Sequence, residues 1–165
     1  MLTLRAYQTG DAQTIASWIR DETVFTWWSA GKLGAFPLKA DTLAAAYEAA
    51  FDAGDAFPRV LEEDGKPCGQ LMMRRADAET MHFGYIVVDP DARGKGLGSA
   101  MLAMAMEFAF HIKGAKRVTL HVFAENVPAI RCYERLGFRR IAAFSMEIDG
   151  RQMRLYTYEK RAGMA

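Results

Sequence analysis

Cysteine is scarce in this sequence. Only two of its 165 residues are cysteine, Cys68 and Cys132, and they do not form a Cys-x-x-Cys pair. Such a low count provides no disulfide framework and no zinc knuckle, and it is typical of proteins from a reducing compartment. We therefore expect a cytoplasmic protein in which both thiols are buried.

Long apolar runs are missing as well. The most apolar stretch covers residues 100–112 and contains Glu107, whereas a helix needs roughly 20 predominantly apolar residues to cross a bilayer. The first residues reach Gln8 before any long apolar stretch, so they lack the hydrophobic region of a secretory signal. The sequence predicts neither a membrane-spanning segment nor export.

Neither sign of charge is in excess. Lys and Arg number 21 against 20 Asp and Glu, for a formal net charge of +1 at pH 7. Without a broad positive field the chain is poorly suited to neutralise a nucleic-acid backbone, so we expect no nucleic-acid partner. Hydrophobic residues make up 51% and charged residues 25%, which is typical of a globular protein. The length suits one domain over residues 1–165.

Periodicity and turn residues predict the elements. Strands are expected at residues 2–6, 57–63, 68–75, 81–88, 117–123, 138–148 and 151–159. Helices are expected after a cap at Thr9 or Asp11, after a cap at Asp41, after the glycine-rich segment near residue 96, and after a cap at Asn126. Residues 21–37 break the pattern and are predicted as an aromatic-rich connection at the lip of a pocket.

This element order points to a mixed sheet. The second helix is expected to bury Leu43, Tyr47 and Phe51 on one face. A strand, a glycine loop, a helix and another strand then follow in succession. That succession predicts a parallel crossover unit inside an otherwise antiparallel sheet.

Three glycines lie directly before the third helix, in Arg93-Gly94-Lys95-Gly96-Leu97-Gly98-Ser99. Glycine lets the backbone approach a ligand closely and adopt positive φ, so consecutive N–H groups can converge on one anion. The helix N-terminus adds free N–H groups and partial positive charge, and Arg93 and Lys95 add formal charge. The segment predicts a pyrophosphate site, although a glycine-rich turn is often only a tight connection.

Two other phosphate-binding motifs fail on spacing. A P-loop requires Gly-x-x-x-x-Gly-Lys-Ser/Thr, but here Lys95 is followed by Gly96. The dinucleotide fingerprint requires Gly-x-Gly-x-x-Gly, whereas the glycines here stand at 94, 96 and 98. Neither motif explains the loop.

Two blocks of the sequence resemble the GNAT superfamily of N-acetyltransferases. The loop from Arg93 to Gly98 is similar to that family's [QR]-x-x-G-x-[GA] signature. A second block, N-x-x-A-x-x-x-Y-x-x-x-G-F, is similar to the family's second cofactor-binding segment. It is formed by Asn126, Ala129, Tyr133, Gly137 and Phe138.

The resemblance implies a fold and a cosubstrate. The fold is a mixture of α+β and α/β, with a central, mostly antiparallel sheet of about seven strands, one parallel splayed pair and about four helices. Acetyl-CoA is implied as acyl donor without a metal, its pantetheine arm lying along a bulged strand. The implied cofactor-binding residues are Ile86, Val87, Val88, Arg93, Gly94, Lys95, Gly96, Leu97, Gly98, Ser99, Asn126, Ala129 and Tyr133.

The implied activity is transfer of the acetyl group to a primary amine by direct attack on the thioester. The resemblance makes Tyr133 catalytic, because the corresponding hydroxyl protonates the departing coenzyme A thiolate. A phenol with a pKa near ~10 is neutral at pH 7 and can donate that proton. From pattern alone, Tyr133 also fits a core aromatic residue, and Asn126 fits a helix cap.

The base that activates the amine stays open. A lysine-like amine with a pKa near ~10.4 is protonated at neutral pH and must lose a proton before it attacks. His82, His121 and Glu125 are candidates, with a water chain as the alternative, although a histidine on a strand is more often packed or solvated. The histidines do not form a spaced cluster with carboxylates, so we expect no metal.

The acceptor is also left open. The resemblance places substrate specificity in the region of the first two helices and in the terminal hairpin, where aromatic residues beside acids would suit a cationic amine; they are Asp21, Glu22, Phe25, Trp27, Trp28, Phe36 and Tyr156. The tryptophans equally fit a core, and the acids equally fit a solvated face. A small-molecule amine, an antibiotic, a polyamine, a protein N-terminus and a lysine side chain all remain. The alternative function is a non-catalytic acetyl-CoA sensor or scaffold, against which the presence of Tyr133 argues. A homodimer is the commonest closed assembly and stays open.

Overall fold

Seven strands pair into one sheet in the computed structural model, which describes residues 1–163. The order across the sheet is β1-β2-β3-β4-β5-β7-β6. The strands are β1 (Leu2–Ala6), β2 (Ala56–Glu63), β3 (Lys66–Arg75), β4 (Thr80–Val88), β5 (Arg117–Phe123), β6 (Arg139–Ile148) and β7 (Arg151–Arg161). The predicted strands are confirmed, with ends that shift by no more than two residues. The last two residues of the predicted domain lie outside the described range.

Five α-helices cover the sheet, where the sequence predicts about four. They are α1 (Asp11–Trp18), α2 (Glu22–Ser29), α3 (Ala40–Asp52), α4 (Leu97–Glu107) and α5 (Val127–Arg135). A short 3-10 turn precedes α4 at Pro90–Ala92, and a π-helical turn extends it at Phe108–Ile112. Among residues 1–163, no helix is both long and apolar enough to span a bilayer.

The additional helix is α2, which lies where an irregular connection was predicted. Asp21 caps it, since one carboxylate oxygen accepts a hydrogen bond from the Val24 amide at 2.8 Å. The side chains of Phe25 and Trp28 are buried. Aromatic and β-branched residues are weak helix formers, so an eight-residue helix rich in them depends on this burial. Local propensity therefore gave the wrong prediction here.

Two predicted helix caps are also wrong. The N-cap of α1 is Gly10, without a side-chain hydrogen bond, because the Asp11 carboxylate instead accepts from the Arg5 guanidinium and the Gln8 amide. The N-cap of α3 is Lys39, which leaves Asp41 inside the first turn. Phe51 on α3 is 68% exposed, contrary to the prediction that it is buried.

The two faces of the sheet carry separate apolar clusters. Successive strand residues point to opposite faces, so Leu71 and Met73 of β3 belong to the first cluster and Met72 belongs to the second. The first cluster includes Leu102 of α4 and Tyr133 of α5. The second cluster takes its buried helical residues from α1, α2 and α3.

β4 is irregular at its centre. Its pairing with β3 shifts register there, so that Tyr85 and Ile86 lie opposite the single residue Leu71. This is a β-bulge, which bends the strand and re-aims its side chains. Tyr85 has a φ of 50°, in the left-handed region. The bulge that the resemblance implies is therefore present.

β4 and β5 form the only parallel pair among the described strands, as predicted. Their pairing ends where Phe83 lies opposite Leu120, although β4 continues to Val88 and β5 to Phe123. The two strands diverge beyond this point. Their facing backbone groups are consequently left without a strand partner.

Candidate active site

A cavity of about 730 Å³ opens where β4 and β5 diverge. Leu97 and Tyr133, from the first apolar cluster, line one part of it. Trp28 and Met72, from the second cluster, line another. The cavity therefore connects both faces of the sheet through the gap.

The glycine loop forms one end of this cavity. Gly94 and Gly96 have φ values of 83° and 74°, conformations that a residue with a Cβ rarely adopts. No backbone N–H group from Arg93 to Ser99 donates to an acceptor within residues 1–163. These donors lie at the N-terminus of α4, where the helix dipole also favours negative charge. The loop can thus bind an anion with its main chain.

Most of the predicted cofactor-binding residues meet around this one cavity. The lining includes Ile86, Val87, Val88, Arg93, Gly94, Gly96, Leu97, Gly98, Ser99, Asn126, Ala129 and Tyr133. Lys95 is exposed and does not contribute to the lining. Residues far apart in the sequence are thereby brought together by the β4–α4–β5–α5 succession.

The bulged half of β4 presents its backbone to the cavity. Val87 pairs with Gln70 and Val88 pairs with Gly69 on the β3 side. On the β5 side the ladder has already ended at Phe83. An extended ligand in the gap can therefore hydrogen-bond to this strand edge as an added strand would.

The second block contributes a cap and a buried phenol. The Asn126 side-chain oxygen accepts a hydrogen bond from the Ala129 amide at 3.4 Å, so Asn126 is a helix cap that also lines the cavity. Tyr133 is buried and packs near Phe138, with ring centroids 6.1 Å apart. Burial, together with nearby Cys132, raises the pKa of Tyr133 above its ordinary value. The phenol is therefore neutral throughout the physiological pH range.

Two histidines lie side by side across the parallel pair. The rings of His82 and His121 are 4.6 Å apart between centroids, and both line the cavity. His82 Nδ1 is 2.9 Å from the Thr119 hydroxyl oxygen. Burial lowers the pKa of His82 to about 4, with further lowering by His121, Lys32 and Arg74. At neutral pH this imidazole is uncharged.

The other predicted site residues fall in two groups. Trp27 and Trp28 line the cavity, as expected for a pocket lip. The remaining residues do not contribute to its lining; they are Asp21, Glu22, Phe25, Phe36, Glu125 and Tyr156. Asp21 is occupied in capping α2. Cys132 is only partly buried, contrary to expectation, and its sulfur is 3.5 Å from the Ser99 hydroxyl oxygen.

Several lining residues were not found from the sequence. Lys32 follows α2, and Arg74 lies opposite His82 on β3. Phe144 and Met146 come from β6. Counting residue pairs outward from the turn between β3 and β4 would have placed Arg74 opposite His82. No local sequence pattern indicates that Lys32 lies at the cavity. No group of three or more His, Cys, Asp or Glu side chains that could hold a metal ion occurs within the described part of the chain.

Comparison of the sequence with known families gives a match over most of the chain. The sequence model of the acetyltransferase (GNAT) family matches residues 17–138. Mycothiol acetyltransferase of Actinosynnema mirum is 41% identical over 93 residues, which are 54% of this chain and 30% of that protein. Spermidine N(1)-acetyltransferase of Vibrio cholerae is 26% identical over 140 residues, which are 83% of this chain and 78% of that protein. The chain spans about a third of the length of the first curated relatives it matches.

Comparison with solved structures supports the fold. The crystal structure of the Vibrio cholerae spermidine N-acetyltransferase in complex with CoA and spermine superposes with a TM-score of 0.81. The two chains are 23% identical, and the match covers 97% of this chain and 95% of the other. The predicted fold is therefore confirmed.

The low pKa of His82 predicts a pH-dependent stability. Its ordinary pKa of 6.5 in the unfolded chain falls to about 4 on folding, so the unfolded chain binds the proton first as the pH falls. The free energy of unfolding that depends on neutral His82 is fully present above pH 6.5 and is lost as the pH falls from 6.5 to about 4. As the pH is lowered through this window, we expect the free energy of unfolding to fall further for wild type than for His82→Gln. The difference between the two proteins should be at most about 3 kcal/mol.

Urea denaturation at several pH values measures this difference. His111→Gln is the matched control, because the His111 side chain is 71% exposed and remote from the cavity lining. It should reproduce the wild-type slope. If the free energy of unfolding depends on pH in the same way for wild type and His82→Gln, then His82 does not take up a proton on unfolding in this pH range.

Proposed function

The chain belongs to the acetyltransferase (GNAT) family, and from this premise we propose that it transfers the acetyl group of acetyl-CoA to a primary amine. One observation supports the proposal most directly. A run of unpaired backbone N–H groups at the start of α4 opens into a cavity that passes through the gap between β4 and β5 to the buried Tyr133. This is one site for an anionic head, an extended arm and a reacting thioester.

The glycine loop is proposed to hold the pyrophosphate of acetyl-CoA. Its amides from Arg93 to Ser99 lack acceptors inside the described chain, and an anion would satisfy several at once. The Arg93 side chain supplies formal charge beside them. Lys95 is exposed and is proposed to contribute its backbone amide and its positive charge.

The pantetheine arm is proposed to lie along the open edge of β4. Its amide groups can pair with those backbone groups of Ile86, Val87 and Val88 that face away from β3, because β5 has already diverged from this strand. Asn126 and Ala129 line the opposite side of the same cavity. The arm would thus be enclosed between the bulged strand and the start of α5.

Acetyl transfer requires one bond to form and one to break. The nitrogen of a neutral amine bonds to the thioester carbonyl carbon, and the carbon–sulfur bond breaks with its electron pair on sulfur. We assign Tyr133 as the catalytic residue that donates its hydroxyl proton to that sulfur. Its raised pKa means that the hydroxyl carries a proton at neutral pH. The proton lost by the amine balances the one that the sulfur gains.

Fewer candidates remain for the base that removes the proton from the amine. A base works best when its pKa is near the working pH, and the pKa of His82 is about 4, so His82 is a weak base at neutral pH. Glu125 does not line the cavity. His121 and a water chain remain as acceptors of the amine proton.

The relatives indicate the chemical class of the acceptor. The relatives include a spermidine N(1)-acetyltransferase and mycothiol acetyltransferases. These names support an amine acceptor for this chain. A polyamine, another small-molecule amine, an antibiotic, a protein N-terminus and a lysine side chain are the candidates.

The remaining proposals concern the setting of the enzyme. We propose that residues 1–165 form one N-acetyltransferase domain, because a single sheet takes strands from Leu2 to Arg161. Free thiols at Cys68 and Cys132 support a cytoplasmic location. β6 is an edge strand with Ile141 exposed, which supports a homodimer through that edge.

Replacement of Gly96 tests the cofactor site. Acetyl-CoA at about one hundred times its Kd should raise the melting temperature of the wild type by roughly 5–10 °C. Gly96→Val should remove this shift, because a branched side chain cannot readily keep the φ of 74° that aims the loop amides. Differential scanning fluorimetry measures both proteins.

Gly65→Val is the matched control for that experiment. Gly65 also has positive φ, at 82°, and a Cβ there meets nothing within 4 Å, but it lies in the β2–β3 turn away from the cavity. It should destabilise the protein and keep the acetyl-CoA shift. A full shift in Gly96→Val would remove the loop from the cofactor site.

Replacement of Tyr133 tests the chemistry. Tyr133→Phe should lower kcat by about 100-fold, the scale of a lost general acid, with little change in the thermal shift by acetyl-CoA. Release of free coenzyme A thiol across a panel of amines measures turnover. Tyr47→Phe, a buried tyrosine outside the cavity lining, is the control and should retain wild-type kcat.

Two outcomes would contradict this assignment. Unchanged kcat in Tyr133→Phe would exclude Tyr133 from proton transfer. A wild-type protein that binds acetyl-CoA but releases no thiol with any amine would instead be a sensor or scaffold.

A further inference from the structure

The charged residues around the cavity are all of one sign. Its lining contains Lys32, Arg74, Arg93 and Arg135, and no Asp or Glu contributes to it. The acids that the sequence suggested for binding a cationic amine, Asp21 and Glu22, lie outside the lining. The described cavity therefore offers no carboxylate to a polyamine.

Two of these cations lie far from the pyrophosphate loop. Arg74 is the cross-strand neighbour of His82 on β4. A strand rises about 3.3 Å per residue, and β3 covers the span from His82 to Val88 in the five steps from Arg74 to Gly69, so His82 lies roughly 16 Å along the sheet from the end of β4. The glycine loop begins only after that end. Arg74 is thus placed for a different part of the bound molecules than the loop cations.

Lys32 lies at the same remote end. It follows α2 beside Trp28 and Ala30, which line the cavity with it. Its charge acts on both His82 and His121, since it contributes to lowering the pKa of each. Lys32 and Arg74 therefore line the same cavity as the two histidines, and both act on His82.

Neither cation is neutralised by its surroundings. Lys32 and Arg74 take part in none of the salt bridges within residues 1–163. Two unpaired cations that flank a cavity repel a polycation and attract an anion.

We propose that the acceptor is a small primary amine that also carries an anionic group, a carboxylate or a phosphate, held by Lys32 and Arg74. This inference rests on the proposed acetyl transfer and names its substrate class. A polyamine is the disfavoured acceptor, because each of its ammonium groups would face these cations without a compensating carboxylate.

The same arrangement assists the reaction. Nearby positive charge favours the neutral form of an amine, as it does for an imidazole. An ammonium group bound between His82 and the thioester would therefore lose its proton more readily than in water. The anionic group of the acceptor would supply the binding energy, and its amine would be left in the reactive form.

A matched series of four-carbon amines tests the proposal. Butylamine, 1,4-diaminobutane and 4-aminobutanoate share a chain and differ only in their second end group, and 3-aminopropylphosphonate provides the phosphate-like arm. Thiol release at saturating acetyl-CoA gives kcat/KM for each. We expect the anionic amines to exceed the diamine at least tenfold. The better of the two anionic arms distinguishes a carboxylate from a phosphate acceptor.

Charge variants show whether these two residues are responsible. Lys32→Ala and Arg74→Ala should raise KM for the anionic amine severalfold with little change in kcat. The double variant Lys32→Glu, Arg74→Glu should reverse the preference toward the diamine. Both residues are exposed, and thermal melting verifies that each variant is folded. Lys116→Ala, an exposed lysine outside the lining, is the control and should change neither parameter.

The outcomes separate this inference from the proposed function. A diamine used as well as the anionic amines, or a selectivity unchanged by the double variant, overturns the inference and leaves acetyl transfer standing. If no amine releases thiol, the proposed function fails, and the inference is then judged by binding. In that case 4-aminobutanoate must raise the melting temperature of the CoA-bound protein more than 1,4-diaminobutane does, and equal shifts overturn it.

Discussion

The divergence of β4 from β5 is the constraint on which the rest of the site depends. Parallel pairing that continued beyond Phe83 and Leu120 would close the sheet and leave no cavity. The bulge at Tyr85 and Ile86 bends β4 away from its neighbour. The gap then joins the face that carries α4 to the face that carries α2. A donor that enters from one side and an acceptor from the other can meet inside it.

Both ends of this cavity carry positive charge. The loop before α4 combines free amides, a helix N-terminus and Arg93, which suits a pyrophosphate. The far end combines Lys32 and Arg74 with two histidines. Tyr133 lines the same cavity, and its burial keeps its proton on oxygen. This distribution is the basis for the proposal that the site binds an anionic group at each end.

The sequence predicted those parts of the structure that depend on local chemistry. Strand alternation, the glycine loop and the Asn126 cap are set by neighbouring residues, and each was found. The helix at residues 22–29 was missed because its stability comes from burying Phe25 and Trp28, not from propensity. Lys32 was missed because only tertiary packing brings it to the cavity.

Amide NMR of the isotopically labelled protein tests the central claim most directly, because the claim concerns main-chain donors. Titration with coenzyme A should shift the amide resonances of Gly94, Gly96 and Gly98 strongly downfield, as expected for N–H groups that gain a phosphate acceptor. Glycines outside the site, such as Gly65, should stay in place. Binding that leaves the loop amides unmoved, or no binding, would contradict the account.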